Sequence, residues 1–136
     1  MTGEPTHYEL GGFAIPEGLE DLHDLLNRVS AEHSAIDPMA FMLFETAVTE
    51  IANNVIEHGR PEGKVRWQFA IDVTERRLEA TLSDSGEVFT GSLDADMPDV
   101  LAEGGRGLAL ARSMLDELTY ERIEGVNVWH LARAAQ

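Results

Sequence analysis

A chain of 136 residues amounts to about one domain, long enough to bury roughly two thirds of the surface its unfolded form exposes. Ten Lys and Arg against 25 Asp and Glu give a formal charge of −15, which repels duplex DNA and anionic membranes over most of the surface and favours a partner with a basic face. There is no Cys, so disulfides, thiol nucleophiles and thiolate metal sites are excluded.

The opening segment, MTGEPTHYE, has no basic stretch followed by an apolar one, and no apolar run approaches a membrane span; a soluble cytoplasmic protein is expected. Thr6 to Phe13 reads as a short strand. Pro16 introduces a helix over about Glu17 to Glu32, with Leu19, Leu22, Leu25, Leu26 and Val29 on one apolar stripe. Asp37 and Pro38 have the character of a cap and a first-turn residue opening a second helix, MAFMLFETAVTEIANNVIEHG, from Met39 to Gly59.

That second helix has two faces. Phe41, Phe44, Val48, Ile51, Ala52 and Val55 recur at three- and four-residue steps and form a core stripe. Glu50, Asn54 and His58 recur at four-residue steps and stack beside it. Such a polar stripe is most often a solvated flank, but on a helix packed into a core it can line a cleft. His58, near the helix end, is expected to cap carbonyls there rather than to act in catalysis. Gly59 suits a left-handed residue just past the helix, and Pro61 cannot continue it.

After the GRPEGK turn, Val65, Trp67, Phe69, Ile71 and Val73 alternate with Arg66, Gln68, Ala70 and Asp72, the pattern of a half-buried strand. The turn TERR leads to a partner strand, Leu78 to Ser83, and an antiparallel hairpin is expected. This strand runs into Asp84-Ser85-Gly86 and then a polar, acidic, poorly periodic stretch up to Glu103. Irregular segments of that length inside a compact domain are usually disordered or functional lids. Gly104-Gly105-Arg106-Gly107 follows and opens a helix in which Leu108, Ala111, Leu115 and Leu118 keep a helical period. LTYERI, a Glu124-Gly125 turn and VNVWHLAR read as a closing hairpin, with Val126, Val128 and His130 on one face and Asn127, Trp129 and Leu131 on the other.

Two of these pieces have chemistry of their own. A glycine-rich loop opening a helix exposes unpaired N–H groups at the positive end of the helix dipole, a ready site for phosphate, and Arg106 adds a cation. It is not a Walker loop, because no Lys followed by Ser or Thr comes after the glycines. Asp84 at a strand end can accept a hydrogen bond from an exocyclic amine, which adenine carries where guanine has a keto oxygen. Gly86 lets a flat ring approach the backbone.

The order Glu50…Asn54, then Asp84-Ser85-Gly86, then an acidic lid, then Gly105-Arg106-Gly107 resembles the GHKL ATPase superfamily, and within it the small bacterial anti-sigma-factor serine/threonine kinases. The resemblance covers essentially the whole chain and rests on EIANNVIEHG, DSG, GGRGLALARSMLDELTYE and GVNVWHLAR. It implies one ATP-binding kinase domain over residues 1–136, with a lid at about 87–104, and an α/β fold: a two-layer α+β sandwich with a mixed, mostly antiparallel sheet of about five strands and its helices on one face. Mg²⁺ and ATP are the implied cofactors. Glu50 would be the catalytic base that receives the proton of an attacking serine. Asn54 would hold the metal ion, Asp84 would read the adenine amine, Gly86 would floor the pocket, and Gly105, Arg106, Gly107 and Leu108 would hold the phosphates.

The implied partners are a STAS-type anti-anti-sigma protein as substrate and a sigma factor as the sequestered target, with no direct contact to nucleic acid or membrane, and a homodimer left open. One position departs from the pattern: Val88 stands where the wider superfamily has a second glycine. Two alternatives therefore remain, a non-catalytic partner-binding module of the same fold and a detached histidine-kinase-type catalytic domain. Against the second, no dimerisation helix with an acceptor His fits, and Glu50 would be unexplained.

Overall fold

The computed structural model describes residues 4–89 and 106–136. Five strands and three helices follow one another as β1 (Thr6–Phe13), α1 (Pro16–Glu32), α2 (Pro38–His58), β2 (Arg66–Val73), β3 (Arg77–Asp84), α3 (Arg106–Ser113), β4 (Glu117–Ile123) and β5 (Val126–Ala134). The strands form one open sheet in the order β1-β2-β3-β5-β4, and all four pairings are antiparallel. The helices pack on one face, so the α+β sandwich expected from the sequence is what the chain builds.

The apolar stripes account for that layering. Leu22, Leu25, Leu26 and Val29 of α1 are buried, as are Phe41, Phe44, Val48, Ile51, Ala52 and Val55 of α2. They meet Trp67, Phe69, Ile71 and Val73 of β2, Leu78, Ala80 and Leu82 of β3, and Trp129 and Leu131 of β5 in one core. The opposite sheet face carries Gln68, Asp72, Glu79, Thr81 and His130 and stays at least partly open to solvent.

Local chemistry explains the boundaries. Asp37 caps α2 by accepting from the Ala40 N–H at 3.0 Å, and Pro38 fills the first helical position, where a missing N–H costs nothing. At the β2–β3 turn the Thr74 hydroxyl accepts from the N–H groups of Arg77 and Arg76, at 2.9 and 3.2 Å. The β4–β5 hairpin closes on Glu124 and Gly125, both at positive φ (47° and 81°), the two-residue turn that follows the natural twist of paired strands.

Three sequence expectations are corrected. Gly59 is extended (φ −65°, ψ 133°), not left-handed. Its requirement for glycine is steric: a Cβ there would lie 2.5 Å from the Val55 carbonyl oxygen and 3.2 Å from Val65 Cγ2. His58 does not cap the end of α2; its ring lies 3.7 Å from the Glu57 carboxylate, and Arg60 donates to the Glu57 and Gly59 carbonyls at 3.0 and 2.9 Å. Finally, α3 stops at Ser113, so Leu115 lies in the following turn and Leu118 faces the core from β4. The apolar spacing that continues the helical period belongs to a strand because Leu118 is paired opposite Leu131.

Candidate active site

Helix α2 forms the wall from which the site is built. Glu50 and Asn54 are half-buried on it, one turn apart, beside the fully buried Ile51 and Ala52. Among the described residues neither side chain has a hydrogen-bond partner. The carboxylate of Glu50 reaches the start of α3 closely enough that a Cβ added to Gly107 would sit 2.5 Å from its Oε2. Gly107 is the second residue of α3, so the carboxylate lies against the positive end of a helix. Leu108, the next residue, points into the core and is 8% exposed.

The other end of the wall meets the end of β3. Gly86 is buried, and a Cβ on it would approach Asp84 Oδ1 (3.0 Å), Val65 Cγ2 (3.4 Å) and Gly59 Cα (3.5 Å). Gly59 and Gly86 thus let the end of the helix and the strand-end turn come together. From residue 50 to residue 59, at 1.5 Å of rise per residue, is about 13 Å along the α2 axis. The Glu50–Gly107 contact and the Asp84–Gly86 turn therefore stand about 13 Å apart along the C-terminal half of α2, with Asn54 between them.

Asp84 is 4% exposed and held in place. Its Oδ1 accepts from the Gly86 N–H and from the Asn127 side-chain amide, both at 2.9 Å. Ser85 continues the pairing with β2, its N–H donating to the Arg66 carbonyl and its hydroxyl accepting from the Arg66 N–H, each at 3.0 Å. Asn127, also 4% exposed, is the second buried polar side chain among the described residues. The sequence pattern puts it on the core face with Trp129 and Leu131 but assigns it no role. A polar residue at an inward position of an alternating strand is itself the signal, because burial without a partner is costly.

Tyr120 and Arg122 of β4 complete this end: both donate to Asn127 Oδ1, and Arg122 also donates to the Gly86 carbonyl at 2.8 Å. Phe89 packs its ring against Tyr120 and Trp129, with centroids 5.4 and 5.0 Å away.

The structure thus brings Glu50, Asn54 and Gly107 to one stretch of α2 and joins Asp84 and Gly86 at its far end. Arg106 is the first residue of α3. Gly105, and the lid expected at 87–104 apart from residues 87–89, lie outside the described residues. Val88 is 51% exposed.

The residues fit a nucleotide and a divalent ion. At Gly86 and Gly107 backbone comes close to the Asp84 and Glu50 carboxylates where side chains would intrude, and the amide of Asn54, unpartnered among the described residues, offers the hard oxygen donor that Mg²⁺ prefers. A second group, Glu79, Glu117 and His130 on the open sheet face, has its ligand atoms within 4.8 Å of one another. There Arg77 already bridges the two carboxylates, at 3.1 and 2.9 Å, and the group is an ion-pair network.

Residues 14–131 match the model of the histidine kinase-like ATPase domain, and the chain belongs to that family. It is similar to the serine-protein kinase RsbW of Staphylococcus aureus, at 32% identity over 95 residues, an alignment taking in 60% of this chain and 58% of that protein. The same identity and coverage are found for RsbW of several strains of that organism, so the match spans little more than half the length of these curated relatives. In structure the chain resembles the RsbU and RsbW domains of Rv1364c from Mycobacterium tuberculosis, with a TM-score of 0.69 and 17% identity over 96% of this chain and 33% of that one. It also resembles the nucleotide-free catalytic domain of the histidine kinase ThkA, with a TM-score of 0.57 and 12% identity over 98% of both chains. At such identities these two likenesses concern the fold.

Proposed function

We propose that this protein is an anti-sigma factor serine/threonine kinase, which binds ATP with Mg²⁺, phosphorylates a serine of a STAS-type anti-anti-sigma protein and sequesters a sigma factor when that protein is modified. The observation that carries this reading is the placement of Glu50 against the start of α3, with the Asp84–Gly86 turn about 13 Å away along the same helix. A phosphoryl donor lying along α2 would have its base at Asp84 and its terminal phosphate beside Glu50.

Each residue then has a task. Asp84 offers a carboxylate oxygen to the exocyclic amine of adenine, and Gly86 leaves room for the ring. The N–H groups at the start of α3, with Gly105, Arg106, Gly107 and Leu108, surround the phosphates. Asn54 would hold the metal ion, whose charge would offset that of the phosphates. Glu50 accepts the proton of the incoming serine hydroxyl, for which its carboxylate must lie within hydrogen-bond reach of that hydroxyl. The similarity to RsbW supports this assignment of chemistry and partners. The acidic surface suits partners with basic faces. A soluble, cytoplasmic setting fits helices none of which, among the described residues, is long and apolar enough to cross a membrane.

The exposed Val88 favours one second reading, a module of the same fold that binds partners stoichiometrically without transferring phosphate. Calorimetric titration with ATP, with and without Mg²⁺, separates the two. Saturable Mg²⁺-dependent binding that weakens in Asp84→Asn and Asn54→Ala supports the kinase, and no binding to the wild type supports the module. In the kinase, Glu50→Gln abolishes transfer to the serine-bearing partner while ATP binding persists; undiminished transfer would remove Glu50 from its role.

A further inference from the structure

The carboxylate proposed to read the base does not stand alone. Asp84 and Asn127 are direct partners in the β3–β5 register and are buried to the same degree. What surrounds Asn127 determines which way its amide points. Arg122 can only donate, and its Nη1 lies 2.9 Å from Asn127 Oδ1. The Tyr120 hydroxyl accepts from the Phe89 N–H at 3.0 Å and so turns its own proton toward the same Oδ1.

With the oxygen edge committed to two donors, the NH₂ edge must face the other way. There it meets three acceptors: Glu87 O at 2.8 Å, Asp84 Oδ1 at 2.9 Å and Gly86 O at 3.4 Å. Reversing the amide would set donor against donor and acceptor against carboxylate at once.

We infer that Asn127 is the positioning residue of the nucleotide-base site: held by Tyr120 and Arg122, it locks the Asp84 carboxylate so that Oδ2 alone meets the base, and thereby sets selectivity for a 6-amino purine over a 6-keto one. The inference rests on the reading of Asp84 as the base reader. Two N–H donors on Oδ1 fix the rotation of the carboxyl group and consume that oxygen. Among the described residues Oδ2 has no partner. An oxygen that can only accept matches the amine of adenine and opposes the keto oxygen of guanine. Asn127 acts wholly through Asp84. The same amide, with Arg122, holds the Gly86 and Glu87 carbonyls, so the turn under the base and the group that reads it share one support.

The test is isosteric. Asn127→Asp keeps the shape, keeps an acceptor toward Arg122 and replaces the donor facing Asp84 by a carboxylate oxygen. Two carboxyl groups so placed share a proton, which lets Asp84 present a donor as well as an acceptor. Dissociation constants for ATP and GTP are measured by calorimetry on the full chain at several pH values between 5 and 8, with thermal unfolding recorded alongside.

In the wild type, ATP binds at least tenfold tighter than GTP. In Asn127→Asp this ratio falls at least tenfold and becomes dependent on pH. A purely supporting role would lower the unfolding temperature and leave the ratio unchanged, which overturns the inference. Should Asn127→Asp fail to fold, Tyr120→Phe decides: it removes one of the two donors that orient the amide and keeps the ring, and a ratio lowered about threefold or more upholds the proposal, whereas an unchanged one refutes it. The wild-type ratio is the separate test of the underlying reading: a wild type that does not discriminate ATP from GTP shows that Asp84 reads no base, and the role of Asn127 falls with it.

Discussion

Gly107→Ala is the substitution that most sharply separates stability from transfer. The added Cβ would lie 2.5 Å from Glu50 Oε2, whereas ordinary contact begins at 3.4 Å, so the carboxylate must withdraw by the difference, about 0.9 Å. Because the obstructing atom is the end of a flexible side chain, the displacement costs only a rotamer adjustment of about 0.5–1.5 kcal/mol. Alanine in place of glycine within a helix returns about 0.5–1 kcal/mol, so stability should change by less than about 1 kcal/mol. A catalytic group misplaced by about 1 Å, in contrast, loses on the order of 100-fold in rate. The assay pairs urea unfolding and ATP calorimetry with transfer of labelled phosphate from ATP to the purified serine-bearing partner. The expected result is a near-native midpoint and, at ATP concentrations that calorimetry shows to be saturating, a transfer rate down about 100-fold. A variant that transfers at the wild-type rate would show that the place of Glu50 beside α3 has no bearing on the reaction.

Three further outcomes follow from the packing and the ionisable groups. Gly18→Ala drives a methyl into the backbone carbonyl of Phe13 and to 3.0 Å from Trp67 Cζ2, neither of which can swing aside; overpacking less the helix gain leaves a loss of about 1–2 kcal/mol, read by denaturant unfolding. The Tyr8 hydroxyl, bonded to Glu32 at 2.6 Å and to His33 at 2.9 Å, is pushed up to about 12 by burial and then by the Glu32 bond. Since the folded value exceeds the ordinary 10.0, the stability Tyr8 contributes is complete below pH 10 and is lost as pH rises toward 12. The wild type should therefore exceed Tyr8→Phe by about 1 kcal/mol at pH 7, with the gap closing above pH 10 in urea titrations. His7 on the open sheet face lies 2.6 Å from the Asp72 carboxylate, whose hydrogen bond raises its pKa above 6.5. Its small contribution is present below 6.5 and fades as pH rises through the folded value; NMR titration should show the raised midpoint returning toward 6.5 in Asp72→Asn.

Legibility in the sequence differed by the range of the interactions involved. The stripes of α1 and α2 and the alternation of β2 and β3 are local patterns, and the elements appear where those patterns place them. Glu50, Asn54 and Asp84 were visible as residues, because four-residue spacing and a strand-end Asp-Ser-Gly are also local. What stayed hidden depends on partners distant in the chain. Leu115 and Leu118 keep helical spacing, and only the pairing of Leu118 with Leu131 makes the second a strand residue. Gly59 looks like a left-handed helix-ending glycine because Pro61, two residues on, cannot continue the helix, yet its reason lies in the nearness of the Val55 carbonyl oxygen and Val65. Asn127 was legible as a misfit on an apolar face, but its meaning required Asp84, 43 residues earlier, to stand opposite it.

The strand order has a consequence for how the site comes into being. β5, the last strand in the chain, lies between β3 and β4, so β4 has no partner in the sheet until β5 is inserted. The amide that aims Asp84 arrives on that strand, as does the ring of Trp129 beneath Phe89. The β2–β3 hairpin alone presents the carboxylate without the Asn127 amide that orients it. Bringing Asn127 to Asp84 closes a separation of 43 residues, which is slow compared with forming a local hairpin. Under the proposed function, selective binding of a nucleotide base waits on the long-range β3–β5 pairing, and a molecule that lacks it would not share that selectivity.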